Sequence, residues 1–357
     1  MALYTDGTVP FLVDGEEFKT YYRIYGSLSD TSLPPLIALH GGPGIVSYYL
    51  SPLSKLFERN ERQPVVLYDQ VGNGRSSHFP EKGAEFITIK LYVDELANLI
   101  DKLDLKEYHI LGHSFGGCLG AEFEAERHPA GLKSLILTNT LVDMRLFYQS
   151  HAERLATFEN AEELKQAFAK GASDPKAYRE ALNTFNERWS LRHFKERPLP
   201  DDIDPFVWLF GDEEKGIKGD RTVVDKMVED KKWSIVGRIH LIKVPVLLIT
   251  ATDDMIQSYA AEPFFWEAQK KKVDYTEIEY FAEQAFLELN VSKTKSVLFG
   301  ARGPPLNNLT LRNGEADIEF VSKYRYGGVF FSAKVGSDLF LPHYQPIVSK
   351  YCTTCFD

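Results

Sequence analysis

The residues best suited to chemistry lie at positions 112–116, where GHSFG fits the pattern G-x-S-x-G. In this pattern a serine occupies a strained turn between a strand and a helix, and the flanking glycines let the two elements approach closely. The short pattern alone is weak evidence, because a purely structural turn fits it too. Its neighbours favour a nucleophile at Ser114, since EYHIL before it is typical of a strand and GGCLGAEFEAERH after it is typical of a helix.

A second glycine-rich stretch, HGGPG at residues 40–44, follows a short apolar run. A loop of this kind can turn a backbone N–H towards a nucleophile, and we expect the N–H groups of Gly42 and Phe115 to form an oxyanion hole. A tight turn after a strand is the structural alternative. His40 is interpreted as part of the loop's architecture and therefore not as a general base.

Strand and helix signals alternate through the first third of the chain, the region that must position these loops. Apolar residues recur at helical spacing from Val93 to Leu103. Strands are predicted at Phe18–Tyr25, Leu36–His40, Val65–Asp69, in HILGHS and at Leu135–Thr138. This alternation predicts a mostly parallel sheet with crossover helices. The stretch DQVGNGRS, residues 69–76, is interpreted as a structural turn at a strand end.

The alternation stops after Asp143. Residues 144–236 carry helical stretches such as AERLATFENAEELKQAFAKG and no strong strand run. Buried-strand signals resume at Val244–Thr250 and again at Asp274–Phe281. The pattern predicts a core formed by residues 1–143 and 237–283, interrupted by a helical cap at 144–236.

Taken in order, HGGPG, DQVGNGRS and GHSFGG resemble the proline iminopeptidase (prolyl aminopeptidase) family of α/β-hydrolases, over about residues 10 to 283. The resemblance implies an α/β-hydrolase fold, with a mostly parallel central sheet and a helical cap insertion, and it makes Ser114 the nucleophile. It also implies release of N-terminal proline or a similar small residue from a small peptide or amino-acid derivative with a free N-terminus. No metal or cofactor is required for this chemistry.

The family places its catalytic acid just past the strand that follows the cap. There VPVLLITATDDM offers Asp253 and Asp254, and Asp254 matches the family's spacing although Ala251 replaces the usual glycine. A carboxylate at this strand end can hold the tautomer of a catalytic histidine and stabilise its protonated form. A solvated acid at the end of a strand is the alternative for each residue, and Asp143 is a weaker substitute.

The family's catalytic histidine has no counterpart at its expected position. The family pattern is roughly F-x-x-S-S-H, whereas FAEQAF places Phe286 where the histidine should be. The match stops past Glu283, which predicts a divergent tail at residues 284–357. His343 is the one histidine after Asp254, and it is the candidate base, with a surface-loop residue as the alternative. His113 adjoins the nucleophile but is expected to aim away from it, because neighbouring strand residues face opposite ways.

Two other functions stay open beside the aminopeptidase. The chain could be an esterase or amidase acting on amino-acid derivatives, or a non-catalytic descendant that binds ligands on the same fold. An epoxide hydrolase or dehalogenase is disfavoured, because those enzymes carry aspartate at the position of Ser114. Acidic cap residues could bind a substrate amine, although a solvated helix face explains each of them equally well; the candidates are Glu187, Glu213 and Glu214.

Composition narrows the partners and the location. A net charge of −10 argues against a nucleic-acid partner, which would require a basic surface, and it suits a cationic substrate group. The N-terminus lacks the basic and apolar segments of a signal peptide, and no apolar run reaches the roughly 18 residues of a membrane span, so a cytoplasmic location is expected. Three cysteines cannot build a disulfide framework. Cys118 is expected in the core, and Cys352 and Cys355 are interpreted as incidental.

Overall fold

The computed structural model describes residues 4–29, 33–58, 62–190, 206–227, 232–251 and 253–267, and four short strands between residues 311 and 332. The chain divides into two compact units, residues 1–269 and 270–357. The predicted strand at 274–281, Phe286 and His343 lie outside the described residues. The predicted limits of core, cap and tail stay predictions.

Seven strands form one sheet within the described part of the first unit. They are β1 (Tyr4–Val13), β2 (Glu16–Tyr25), β3 (Leu36–Leu39), β4 (Val65–Asp69), β5 (Tyr108–His113), β6 (Leu132–Thr138) and β7 (Val246–Ile249). Their order is β1-β2-β4-β3-β5-β6-β7. The pairs β1–β2 and β2–β4 are antiparallel, and the four remaining pairs are parallel. The predicted mostly parallel sheet is therefore confirmed.

Strand β1 was not predicted from the sequence, and its composition explains why. It is the edge strand of the sheet, it contains Gly7 and Pro10, and most of its side chains are exposed. Proline cannot donate to a ladder and is tolerated on such an edge. Val9 and Phe11 are its buried side chains, which is too short an alternation to stand out.

In the described part of the first unit, helices lie along the chain between strands of the sheet and also follow β6 as a helical segment. They are α1 (Lys55–Glu58), α2 (Ile89–Lys102), α3 (Phe115–Arg127), α4 (Met144–Leu155), α5 (Ala161–Lys170), α6 (Pro175–Trp189), α7 (Val207–Phe210), α8 (Thr222–Met227) and α9 (Glu262–Glu267). Short 3-10 helices lie at Ser47–Ser54, Gly171–Ser173, Ile239–Leu241 and Ser258–Ala260. None of the described helices is long and apolar enough to cross a membrane.

Local chemistry sets the bounds of the crossover helix α2. Thr88 caps it by accepting a hydrogen bond from the N–H of Leu91 at 3.2 Å, which satisfies one of the free N–H groups of the first turn. Leu91 and Tyr92 in that turn are buried in the main core. The helix therefore begins at Ile89, four residues before the predicted start at Val93.

The segment after β6 is helical, as expected, but the stretch AERLATFENAEELKQAFAKG is not one helix. It divides into α4 and α5, which are joined by residues 156–160. The break lets the helices fold against α6 and form a small apolar cluster of their own; its buried members are Leu155, Leu164, Ala181 and Phe185. The segment that enters this helical region and the segment that leaves it lie next to each other, because Asp143 and Ser234 form an antiparallel bridge.

In the second unit, the described residues form two antiparallel strand pairs. Strand β8 (Leu311–Asn313) pairs with β9 (Ala316–Ile318), and β10 (Lys323–Tyr326) pairs with β11 (Val329–Ser332).

Candidate active site

Ser114 lies at the sharp turn between β5 and α3. Its backbone has φ +53° and ψ −120°, a conformation that is uncommon for a residue with a side chain. Two neighbours on β6 and its following loop hold it: the Ser114 N–H donates to the Thr138 carbonyl at 2.9 Å, and Thr140 Oγ1 donates to the Ser114 carbonyl at 2.8 Å. The conformation required of a nucleophilic elbow is therefore present, and it is held by the adjacent strand.

The glycines around Ser114 are required by close packing. A Cβ on Gly112 would lie 2.3 Å from the carbonyl oxygen of Gly116, and a Cβ on Gly116 would lie 2.3 Å from the carbonyl oxygen of Leu39. Both contacts are with backbone atoms, which cannot move aside cheaply. Helix α3 can therefore start directly against β3 and β5 only because these positions carry no side chain.

The HGGPG loop lies directly beside the serine. A Cβ on Gly41 would be 3.0 Å from the Cβ of Ser114, and Gly42 is exposed with φ +121°. Phe115 is the first residue of α3, so its N–H has no partner inside the helix. Within the described part of the chain, neither the Gly42 N–H nor the Phe115 N–H donates a hydrogen bond to protein. Two free N–H groups beside a serine and a positive helix end can bind a developing negative charge.

Asp254 follows β7, and both of its carboxylate oxygens accept hydrogen bonds. Oδ2 accepts from Asn139 Nδ2 at 2.7 Å, and Oδ1 accepts from the N–H of Ile256 at 2.7 Å. Desolvation raises the pKa of Asp254 to about 6, although these hydrogen bonds and Arg154 oppose the rise. Asp254 is thus an oriented carboxylate that is still largely ionised near neutral pH.

Asp143, the weaker alternative acid, lies at the start of α4 and is engaged there. It caps α4 by accepting a hydrogen bond from the N–H of Arg145 at 2.7 Å, and it pairs with the Arg145 guanidinium. Hydrogen bonding to Arg145 is the main reason why the pKa of Asp143 is lowered. Its carboxylate is therefore engaged at a helix end.

The candidate nucleophile and the candidate acid lie two strands apart at the same edge of the sheet. Ser114 follows β5, Asp254 follows β7, and β6 runs between those strands. Neighbouring strands are about 4.8 Å apart, so the ends of β5 and β7 lie roughly 10 Å from each other. Asn139, the residue after β6, lies in this interval. It is attached to β7, because its N–H donates a hydrogen bond to the Ile249 carbonyl at 2.9 Å.

Comparison with known proteins identifies the family. Residues 34–273 match the family model for the alpha/beta hydrolase fold. Proline iminopeptidase from Clostridioides difficile (strain 630) is 30% identical over 295 residues, which cover 80% of this chain and 94% of that protein. The chain belongs to the proline iminopeptidase family of α/β-hydrolases. The family and the fold predicted from the sequence are thereby confirmed.

Other proline iminopeptidases agree with this assignment. The protein from Lactobacillus acidophilus (strain NCFM) is 32% identical over 269 residues, covering 72% of this chain and 85% of its own length. The solved structure of proline iminopeptidase from Mycobacterium smegmatis superposes with a TM-score of 0.56 at 29% identity, covering 74% of this chain and 87% of that one. Both matches span most of the relative.

The family's general base is not found among the described histidines. Within the described residues, no histidine nitrogen is hydrogen-bonded to Ser114 or to the Asp254 carboxylate. His343, the candidate base, and Phe286, at the family's histidine position, both lie outside those residues. The assignment of the base therefore stays a prediction.

His113 lies beside the HGGPG loop, because a Cβ on Gly41 would be 3.0 Å from its Nδ1. Its orientation relative to the Ser114 hydroxyl stays the expectation from strand alternation. Nδ1 is hydrogen-bonded to the Tyr49 hydroxyl at 2.7 Å, and burial lowers the pKa of His113 to about 4. A weakly basic nitrogen that already has a partner is a poor general base.

Two residues that contact the site were missed from the sequence. Asn139 donates a hydrogen bond to Asp254, which is 115 positions away in the sequence. Its place directly after a parallel strand, as a polar residue, was a signal that could have identified it. Tyr49 gave no signal, because it is one of two adjacent tyrosines in SYYLSPLS and nothing in the sequence separates them. The candidate amine-binding acids Glu213 and Glu214 are exposed in the turn after α7.

Proposed function

We propose that this chain is a serine hydrolase of the aminopeptidase type, which releases N-terminal proline or a similar small residue through an acyl-enzyme on Ser114. One observation carries the proposal: Ser114 sits at positive φ beside the free N–H groups of Gly42 and Phe115, with Asp254 two strands away. The names of the relatives support the choice of substrate, a small peptide or amino-acid derivative with a free N-terminus.

In this mechanism Ser114 Oγ attacks the carbonyl carbon of the N-terminal residue and gives its proton to a base. The carbonyl oxygen becomes negative, and the N–H groups of Gly42 and Phe115 stabilise it. The base then protonates the leaving amine, so the peptide bond breaks and an ester to Ser114 remains. Water, deprotonated by the same base, hydrolyses that ester. Asp254 orients the base and stabilises its protonated form.

The identity of the base sets the rate. His343 is the proposed base, since Phe286 cannot accept a proton. Loss of a catalytic histidine lowers kcat on the order of 10⁶-fold, and the residual rate, about 10³–10⁴ above water, comes from the oxyanion hole and binding. If His343 does not act as the base, we therefore expect turnover far below that of a relative with an intact triad.

Hydrolysis of a proline arylamide tests the proposal, with Ser114→Ala as the control. We expect the wild-type chain to release arylamine faster than the variant, and to lose this activity when the substrate's amine is acylated. Equal hydrolysis of free and acylated substrates would assign the chain to the esterase or amidase class. A wild-type rate no higher than that of Ser114→Ala, together with no labelling of Ser114 by a fluorophosphonate, would refute serine hydrolase activity.

A further inference from the structure

The peptide between Gly41 and Gly42 is fixed from inside the core. His40 is fully buried, and its Nε2 accepts a hydrogen bond from the N–H of Gln70 at 3.0 Å. Burial lowers the pKa of His40, so the ring is neutral and its one proton lies on Nδ1. Nδ1 therefore donates to the Gly41 carbonyl at 2.8 Å. This confirms the prediction that His40 belongs to the architecture of the loop.

This contact determines where the Gly42 N–H points. The Gly41 carbonyl and the Gly42 N–H belong to one planar trans peptide, in which the two groups point in opposite directions. Because the carbonyl points at the buried His40, the N–H points away from the core, on the exposed side of the loop. The Gly41–Gly42 peptide can still rotate about the backbone bonds of Gly41. Fixing the peptide before Gly41 would restrict that rotation.

Tyr49 holds that preceding peptide. The N–H of Gly41 donates to the Tyr49 hydroxyl oxygen at 2.7 Å, and the same hydroxyl lies 2.7 Å from His113 Nδ1. Burial raises the pKa of Tyr49, so the hydroxyl keeps its proton. His113 Nδ1 is the acceptor available to that proton among the described residues, which places the ring proton of His113 on Nε2.

We propose that Tyr49 is a positioning residue for the oxyanion hole, bridging the Gly41 N–H to His113 so that the next N–H, of Gly42, faces the carbonyl oxygen attacked by Ser114. The inference rests on the proposed function for its catalytic consequence. The bridge ties the loop after β3 to the last residue of β5, immediately before the nucleophile. It therefore fixes two halves of the site relative to each other.

The variant Tyr49→Phe removes the hydroxyl and keeps the ring. Since the loss of a whole oxyanion donor costs about 10²–10³ in kcat, a donor that stays but is less well oriented should cost about tenfold. We expect kcat for a proline arylamide to fall by about that factor while KM changes less than about twofold, because the loss affects the transition state more than the bound substrate.

Tyr48→Phe is the matched control. Tyr48 precedes Tyr49 in the same 3-10 helix, and its buried hydroxyl has no hydrogen-bond partner among the described residues. This variant should keep the wild-type kcat. An unchanged kcat in Tyr49→Phe, or an equal fall in both variants, would overturn the proposal.

Nuclear magnetic resonance tests the bridge without relying on activity. In wild type, the ¹⁵N resonances of His113 should show a proton on Nε2 and a hydrogen-bonded Nδ1. In Tyr49→Phe, the Nδ1 resonance and the amide resonance of Gly42 should both move, whereas Tyr48→Phe should leave them in place. If wild type does not hydrolyse the arylamide, the proposed function fails, and these shifts still decide the positioning role. Unchanged Gly42 and His113 resonances in Tyr49→Phe would refute it.

Discussion

At the scale of single residues, the glycines of the elbow have opposing effects on stability. Gly116 lies inside α3, where alanine is intrinsically favoured over glycine by up to about 1 kcal/mol. Because it has no side chain, however, the Leu39 carbonyl can approach closely: a Cβ on Gly116 would lie only 2.3 Å from that carbonyl oxygen. The close approach of β3 to α3 therefore decides this position, and helix propensity does not.

The variant Gly116→Ala should lose about 1–3 kcal/mol of unfolding free energy, because the new methyl group overlaps backbone atoms. Urea unfolding measures the loss. Gly83→Ala is the control, since its Cβ meets the carboxylate of the exposed Glu85 side chain, which can rotate away. That variant should stay within about 0.5 kcal/mol of wild type. A Gly116→Ala protein as stable as wild type would contradict the packing argument.

Asp254 gives a prediction with a defined sign. Its folded pKa of about 6 lies above the ordinary 3.8, so between those values the folded state binds more protons than the unfolded state. The stability contribution of Asp254 is therefore full below pH 4 and is lost as the pH rises to 6. Relative to wild type, Asp254→Asn should gain unfolding free energy between pH 4 and pH 7 in denaturant titrations. A difference that is flat across this range would contradict the raised pKa.

At the scale of elements, α8 packs on two of the loops recognised in the sequence. Val224 lies against Gly44 of HGGPG, and Val223 lies against Gly72 of DQVGNGRS, each at a distance that leaves no room for a Cβ on the glycine. His78, near the end of the second loop, bonds Asp220 at 2.5 Å just before α8. The helix is therefore attached to the core directly beside the HGGPG loop.

The pair of His78 and Asp220 predicts a pH-dependent attachment of α8. The hydrogen bond to Asp220 raises the pKa of His78, so the stabilisation is full below pH 6.5 and is lost as the pH rises through the raised value. Asp220→Asn removes the ion pair but keeps a side-chain oxygen that can accept the hydrogen bond from the N–H of Thr222. The unfolding free energy of wild type should exceed that of this variant by up to about 1 kcal/mol at pH 5.5, and by less at pH 8.5.

Asp225→Asn is the control for that comparison. Asp225, in α8, pairs with Arg221 just before the helix, and no histidine takes part in the pair. Its stability difference from wild type should be the same at pH 5.5 and pH 8.5. If the difference for Asp220→Asn instead grew between those two pH values, the assignment of His78 as the titrating partner would be wrong.

At the scale of the whole molecule, the proposed nucleophile and the proposed base belong to different parts of the chain. Ser114 and Asp254 lie in the first unit, residues 1–269, whereas His343 belongs to the second. The match to the family model ends at residue 273. Under the proposed mechanism, the base therefore comes from residues that this match does not cover.

Replacing His343 tests whether it is that base. If His343 is the base, His343→Ala should lower kcat for a proline arylamide by several orders of magnitude, since a triad histidine contributes on the order of 10⁶. His240→Ala, which changes an exposed histidine after the helical segment, should leave kcat unchanged. Equal activity of wild type and His343→Ala would exclude His343 and leave the chain without a histidine base after Asp254.

The sequence by itself determined the features that depend on neighbouring residues. The runs at β4 and β5, the turn at Ser114 and the two glycine-rich loops were all predicted, because a buried parallel strand and a sharp turn each impose a local composition. The family followed from the same stretches. Bounds such as the start of α2, and the edge strand β1, were missed because a cap or a sheet edge changes the apolar pattern.

Only the tertiary structure decided which distant residues meet. Asn139 reaches Asp254, Tyr49 joins Gly41 to His113, and α8 covers Gly44, although no spacing in the sequence relates these positions. Parallel strands bring their carboxyl ends to one edge of a sheet whatever the length of chain between them. The residues that orient the site are therefore set by strand order and packing, and these depend on the whole fold.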